Sequence, residues 1–385
     1  MTDITETEKI FNSHFSGAPL IVFSPACITL LGEMTDDLGG YFLGFPIEEG
    51  LFIAASPRGD NKFMFKGNIT DSSFGFDTCD AAPDGKPLQT VAKAVINALL
   101  KSGFSVNGVN VYIHKTEFAE VAGIYTCWAA GLAFLLNELC ELNIDKKKLF
   151  NIVTEACKEI PLYIPASEIY ASLFAEKGTI LLADTSLPAG KAFPYLYDHI
   201  NIALFGTNED NANYVSMRRQ LYNNCAEGVQ IIRAVNSSIK SLRDANTGIL
   251  QKYQSELQEQ IFDQCLYVIK EIERVGQACE ALEVHNLKKF GGLMYLENSD
   301  IKKYMRLPDS KAGFIVETAK KNPEIIGSKI LYGGSGSVCL IENEDLEPSL
   351  KILESVYTEN FGIAPPVKIT HISGGTHVIK NGPMA

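Results

Sequence analysis

Apolar positions recur along the chain with two different periods, and the change between them divides it. In the first half they form short runs at residues 20–23, 50–55, 179–183 and 200–205. Runs of that length bounded by Pro and Gly predict strands. Residues 108–113 alternate and predict another strand, while 90–100 and 123–142 have the spacing of helices. In the second half the helical period takes over. Leu221, Cys225, Val229, Ile232, Val235 and Ile239 recur at helical spacing, as do Leu257, Ile261, Cys265, Val268, Ile272, Val275, Cys279 and Leu282. Each set predicts an amphipathic helix with one buried face. Strands are expected at 337–341 and, from the alternation, at 367–372. Strand-rich sequence gives way to helix-rich sequence near residues 190–210. This mixture, with the long helices grouped late, predicts an α+β fold.

Composition narrows the function classes. The 385 residues are 46% hydrophobic with a net charge of -12, which excludes intrinsic disorder and argues against nucleic acid as a partner. That length fits two domains or one large one. The nine cysteines are odd in number and none has Cys-x-x-Cys spacing. They predict buried, reduced thiols in a cytoplasmic protein, with neither a disulfide framework nor a zinc site. The acidic N-terminus lacks an apolar segment, so no signal peptide is expected. The most apolar stretch, 121–136, is too short to span a membrane and lies between Glu120 and Glu138. It predicts a core helix and no membrane partner.

Three segments are richer in glycine and small polar residues than their surroundings. Residues 24–40 put Glu33, Asp36 and Asp37 beside the pair Gly39-Gly40. Carboxylates accept hydrogen bonds from several hydroxyls, which suits a sugar; the plain alternative is an acidic turn. Residues 121–130 place Gly123 and the hydroxyls of Tyr125 and Thr126 before a long helix. Backbone N–H groups there can meet a phosphate, or the segment is simply a helix start. Residues 332–339 are a glycine-serine turn entering a strand, suited to an anion or to a tight loop.

In this order and at these separations the segments resemble the galactokinase branch of the GHMP small-molecule kinases. The first resembles the family's sugar-binding signature A-P-G-R-V-N-L-I-G-E-H-T-D-Y-N-G-G without a gap, identical at Pro25, Leu30, Gly32, Glu33, Thr35, Asp36, Gly39 and Gly40. The second resembles the phosphate loop G-L-S-S-S-A and the third the glycine motif G-x-G-F-G-G-C. Residues 214–225 resemble Y-x-x-R-R-x-x-C with extra residues, and 290–294 resemble F-G-x-L-M. The likeness runs from about residue 9 to 375.

The resemblance implies an α+β, two-domain GHMP-kinase fold. Residues 1–200 would form the N-terminal, ribosomal S5 domain 2-like part, with the sugar and phosphate-loop motifs. Residues 201–385 would form the C-terminal, ferredoxin-like part. It implies ATP-dependent phosphorylation of the anomeric hydroxyl of a hexose. The sugar-binding positions are then Glu33, Asp36, Asp37, Gly39, Gly40 and Tyr214. The nucleotide-binding positions are Gly123, Tyr125, Thr126, Cys127, Gly333, Gly334 and Ser335, with Thr126 also offering its hydroxyl to Mg²⁺. The carboxylate at the family's catalytic aspartate is Glu168. An active enzyme would use ATP and Mg²⁺; an inactive one would need no cofactor. The partner expected in either case is a small sugar.

The departures bear on that activity. The family's arginine in the first motif is Cys27, its histidine is Met34 and its tyrosine is Asp37. Glu168 adds a methylene to the catalytic aspartate, moving the carboxylate by about 1.5 Å on an unchanged backbone. Misplacement of about 1 Å can lower a rate about a hundredfold. The serine run becomes Tyr125-Thr126-Cys127, Val121 replaces a glycine, and Tyr125 and Trp128 are bulky where the family is small. The third motif loses F-G-G to Gly336-Ser337-Val338. Two readings stay open: a kinase of weak or altered activity, and a catalytically inactive pseudoenzyme that senses a sugar or serves as an interaction protein.

Overall fold

The computed structural model describes residues 2–69, 71–187, 189–195, 197, 199–207, 209, 214–331 and 335–380. Contacts divide the chain into two units, one of residues 1–27, 46–177 and 372–385, the other of 28–45 and 178–371.

The first unit opens with helix α1 (Thr2–His14), which the sequence analysis did not foresee. Strand β1 (Leu20–Leu31) is buried at all twelve positions, so it lacks alternation and runs eight residues past the four-residue run expected. Then come β2 (Phe42–Pro57), β3 (Lys62–Gly67), β4 (Phe74–Asp77), α2 (Pro87–Lys101) and β5 (Val109–Lys115). Helices α3 (Tyr125–Leu139), α4 (Lys146–Lys158) and α5 (Ala166–Phe174) follow. Helix α3 is shorter at both ends than the 123–142 expected, because Gly123 takes φ 92 before it and Cys140 caps it. Trp128 on α3 is fully buried and its Nε1 donates to Leu88 O at 3.0 Å. Phe11 of α1 packs on Ile21, Ala54 and Tyr112.

The second unit takes the end of β1 and the start of β2, then β6 (Thr179–Asp184), β7 (Ala189–Pro194) and β8 (Ile200–Gly206). Helices α6 (Tyr214–Val235), α7 (Thr247–Lys252), α8 (Glu259–Glu283), α9 (Leu287–Met305) and α10 (Lys311–Ala319) follow. Strands β9 (Ile325–Leu331) and β10 (Gly336–Glu342), α11 (Leu346–Phe361) and β11 (Val367–Thr370) complete it. The chain then returns to the first unit as β12 (His377–Lys380). The first unit's strands run β12-β1-β2-β5-β3-β4. In the second, an antiparallel sheet runs β11-β8-β10-β9, and β6 pairs with Phe42, Leu43 and Gly44.

The periodic apolar residues of α6 and of α8 as far as Ile272 form one core, with Leu221, Cys225, Ile232, Ile261, Cys265 and Val268 buried together. Val235 is an exception. Helix α6 ends there and leaves it 68% exposed, while Ile239 reaches the core from the loop beyond. Most cysteines are buried as expected, but Cys79, in a short turn after β4, is exposed, and Cys140 and Cys279 are half-buried. None of the nine is in a disulfide. No described helix is long and apolar enough to cross a membrane.

Candidate functional site

In the second unit the acidic segment is built as a tight turn at the end of β1. Gly32 has φ 92 and Met34 φ 60, so the backbone reverses on either side of Glu33. Thr35 N and Oγ1 both donate to Gly32 O, at 3.3 and 3.0 Å. A short 3₁₀ turn, Asp36–Leu38, ends on Gly39 at φ 84. Gly40 N then donates to Thr35 O at 2.7 Å. A Cβ on Gly40 would lie 2.0 Å from Thr35 Oγ1, so the second glycine is required by close approach. Met34, where the resembled family has a sugar-binding histidine, is buried in the apolar core of the second unit.

Each carboxylate of this turn has a polar partner within the unit. Glu33 is buried; Tyr214 Oη donates to its Oε1 at 2.9 Å, and Lys329 Nζ lies 3.4 Å from its Oε2. Asp36 is buried and ion-paired with Arg218. The same guanidinium nitrogen, Nη2, reaches half-exposed Asp37 at 3.2 Å. Arg243 fixes the glycines, its Nε donating to Gly39 O at 2.5 Å and its Nη2 to Gly40 O at 3.2 Å. It also pairs with both oxygens of Asp184, at 2.7 and 3.1 Å. Burial pushes the Asp184 carboxyl up, but the hydrogen bonds from Arg243 and Ser186 outweigh it and hold the group below its ordinary value. Sequence reasoning did not single out Arg218, Arg243 or Lys329. Arg218 does lie inside the 214–225 segment that carried part of the resemblance.

The first unit brings the phosphate-loop and catalytic candidates together. Thr126, in the first turn of α3, donates from Oγ1 to Glu168 Oε2 at 2.8 Å. Glu168 lies in the first turn of α5. Cys27 Sγ contacts Glu168 O at 3.6 Å. Burial pushes the Cys27 thiol well above its ordinary value, and the nearby Glu168 charge pushes it further. Cys127 is likewise raised by burial to about 12, and its thiol donates to Ile124 O at 3.0 Å. It is satisfied by its own helix. Trp128 points into the core and so does not crowd the loop, whereas Tyr125 is only half-buried. Gly123 is used in the turn before α3, its N donating to Glu120 O at 3.3 Å.

For a hard cation the Thr126–Glu168 pair fits. Both offer the hard oxygen atoms such an ion takes, although in this structure their 2.8 Å separation is that of their own hydrogen bond. The neighbouring thiol of Cys127 does not suit such an ion. Of the third motif, Gly333 and Gly334 lie outside the described residues. Ser335 is half-buried, and its carbonyl accepts from Thr207 N and Oγ1 at 2.8 and 2.9 Å. Ser335 and Tyr214 line one cavity of about 750 Å³ in the second unit, together with Thr207, Asn298, Lys302 and Lys311.

The galactokinase galactose-binding signature matches residues 9–57. A galactokinase from Ligilactobacillus salivarius is 25% identical over 390 residues, covering 97% of this chain and 100% of that protein. One from Clostridium perfringens is 23% identical over 387 residues, covering 97% and 99%. Among solved structures, Lactococcus lactis galactokinase complexed with galactose is similar with a TM-score of 0.90 at 20% identity, covering 98% of this chain and 100% of that one. Methanococcus jannaschii mevalonate kinase is similar with a TM-score of 0.62 at 15% identity, covering 94% and 100%. The fold is the mixed α+β, two-domain fold of these kinases.

Proposed function

Because the chain belongs to the galactokinase branch of the GHMP small-molecule kinases, we propose that it phosphorylates the anomeric hydroxyl of galactose or a closely related hexose at a reduced rate. The two family domains, expected at residues 1–200 and 201–385, are assigned to the two units, with 28–45 and 178–200 in the second and 372–385 in the first, and its unpaired cysteines suit a cytoplasmic setting. The observation that carries this reading is the hydrogen bond between Thr126 and Glu168, which keeps a carboxylate and a hydroxyl at the starts of two helices.

In this reading Glu33, Asp36, Asp37 and Tyr214 hold the sugar hydroxyls, and the Gly39-Gly40 turn shapes the backbone beside them. Asp36 and Asp37 share the Arg218 cation, which offsets their mutual repulsion and leaves lone pairs for hydroxyl donors. Glu168 accepts the proton of the anomeric hydroxyl, and Thr126 orients that carboxylate. ATP with Mg²⁺, when bound, supplies the phosphoryl group and neutralises charge on the phosphates. Gly123, Tyr125, Thr126, Cys127, Gly333, Gly334 and Ser335 are the positions offered to the nucleotide, and Thr126 the hydroxyl offered to the cation.

A second reading, an inactive sugar-binding relative, is favoured by Cys27. A buried thiol of raised pKa stays neutral and brings no positive charge to the Glu168 neighbourhood. Calorimetric titration with Mg·ATP and with galactose, followed by a coupled kinase assay with Glu168→Ala as control, separates the two. Turnover abolished by the substitution is the expected result. Sugar binding without turnover in the unaltered protein would establish the second reading instead.

A further inference from the structure

Helix α9 and strand β9 approach so closely that a Cβ on Gly291 would lie 1.8 Å from Ile326 O, and one on Gly327 would lie 2.8 Å from Gly291 Cα. Two glycines are therefore needed where the helix meets the strand. Asn298 locks the pair: its Nδ2 donates to Ser328 O at 2.9 Å and its Oδ1 accepts from Ile330 N at 3.0 Å. This contact carries two fully buried charges, Glu297 on α9 and Lys329 on β9, with Nζ 2.9 Å from Glu297 Oε2. The same ammonium lies 3.4 Å from Glu33 Oε2. Tyr267 Oη on α8 donates to Glu33 O at 3.0 Å and lies 3.4 Å from Glu297 Oε1. The contacts close a ring from the Glu33 carboxylate through Lys329, Glu297 and Tyr267 back to the Glu33 carbonyl. The residue before it is held as well, since Gly32 N donates to Glu271 Oε1 at 2.6 Å and Glu271 is ion-paired with Arg274.

We infer that Lys329 is a positioning residue for sugar recognition, holding the Glu33 carboxylate against Tyr214 through the buried Glu33–Lys329–Glu297 contact. The inference rests on the sugar-binding reading of Glu33 above. A lysine with no exposure in a helix–strand contact needs paired carboxylates. Glu297 alone would satisfy that need. The second contact, to Glu33, is what ties the buried charge to the candidate sugar site. With one Glu33 oxygen directed at Lys329 and the other at Tyr214, the side chain has one orientation to offer a ligand. In the absence of the ammonium, Glu297 takes up a proton, Glu33 Oε2 loses the cation that faces it, and the carboxylate is free to turn away.

The test uses the full-length protein and galactose as the probe. Lys329→Met should weaken galactose binding, read by calorimetry, by about thirtyfold, the scale of losing a hydrogen bond to a charged group. Lys329→Arg, which keeps the charge, should recover most of that loss. Lys329→Met leaves an unpaired buried glutamate and so lowers stability, whereas the double variant Lys329→Met/Glu297→Gln relieves it. The double variant should regain melting temperature but not galactose affinity. If affinity returns with stability, Lys329 is only structural and the inference is overturned. Crystal structures of the unaltered protein and the double variant give a readout independent of any sugar. The Glu33 Oε1 to Tyr214 Oη contact should open by more than about 1 Å, enough to matter for recognition. An unchanged contact overturns the inference. Failure of the unaltered protein to bind galactose counts against the proposed function, and the crystal comparison still decides the role of Lys329.

Discussion

The hydroxyl of Thr126 is held on the carboxylate of Glu168 at 2.8 Å, joining the first turn of α3 to the first turn of α5. Both side chains are thereby ordered before any ligand arrives. Thr126→Val keeps the shape and removes only the donor. It should lower stability by about 1 kcal/mol and turnover by about tenfold to a hundredfold. Glu168→Gln keeps the size and removes the base, and turnover should fall by about a hundredfold or more. Galactose affinity should change little in either variant. A parallel loss of affinity would show that the pair shapes the sugar site and does not act on the proton.

Thiol reactivity should follow burial. Cys79 is exposed, whereas Cys27, Cys127, Cys157, Cys225, Cys265 and Cys339 are buried. Burial also raises Cys27 and Cys225 well above the ordinary thiol value, and Cys127, Cys157 and Cys339 to about 12. Pulsed alkylation at pH 8 with peptide mapping should label Cys79 first. The six buried sites should be labelled only after denaturant is added. Early labelling of Cys27 would mean that the surroundings of Glu168 open readily in solution.

How much of this could be read from sequence differs by element. The turn at Glu33, Asp36 and Gly39-Gly40 was legible because its residues are contiguous and each does a local job. Thr126 and Glu168 were legible one at a time, but nothing in a spacing of forty-two residues announces their hydrogen bond. Lys329 was hidden for a different reason. Ser328 and Lys329 interrupt the apolar run of β9, so neither the strand nor the burial of the lysine shows in the pattern. Its partners, Glu33 and Glu297, are distant in sequence, and acidic residues on amphipathic helices ordinarily face water. Helix α1 shows no apolar period because its fully buried positions are only Thr7 and Phe11, with Ile4 and Ile10 partly buried beside them. The grouping of residues 28–45 with 178–371 is a tertiary fact with no local mark.

Arg243 should matter for both stability and the shape of the glycine turn. It donates to the carbonyls of Gly39 and Gly40, pairs with both oxygens of Asp184, and lies 4.3 Å from the centre of the Tyr41 ring. Arg243→Met keeps much of the packing and removes every donor. The expected loss is on the order of 2 kcal/mol, the range for hydrogen bonds to a charged group, read from urea midpoints. Arg243→Lys should recover only part, since an ammonium cannot span two carbonyls and a bidentate carboxylate. Asp184 adds a pH signature. Its depressed pKa means that the pair's contribution is present above the ordinary carboxylate range and fades as pH falls below it. The Arg243→Met deficit should therefore shrink toward pH 3. A deficit equally large at pH 3 and pH 7 would assign the loss to the glycine carbonyls alone.

Glu297 should make stability depend on pH near neutrality. Burial raises its carboxyl to about 7, with the charges of Glu271 and Glu33 adding to the rise and Lys329 opposing it. The groups facing it are Lys329 on β9, Tyr267, Glu271 and Arg274 on α8, and Glu33 after β1. The folded protein holds the Glu297 proton more tightly than the unfolded chain, whose carboxyl titrates near 4.5. Between those values the folded state binds more protons, so stability falls as pH rises. The contribution is complete below about 4.5 and lost above about 7. Glu297→Gln removes this titration and leaves Lys329 with Glu33 as its carboxylate partner. The stability of the unaltered protein relative to Glu297→Gln should therefore decline by on the order of 2 kcal/mol between pH 5 and pH 8, and level off beyond. Urea midpoints at four pH values in that interval measure it. A difference that stays constant would mean that Lys329 neutralises Glu297 as fully in the fold as water does outside it.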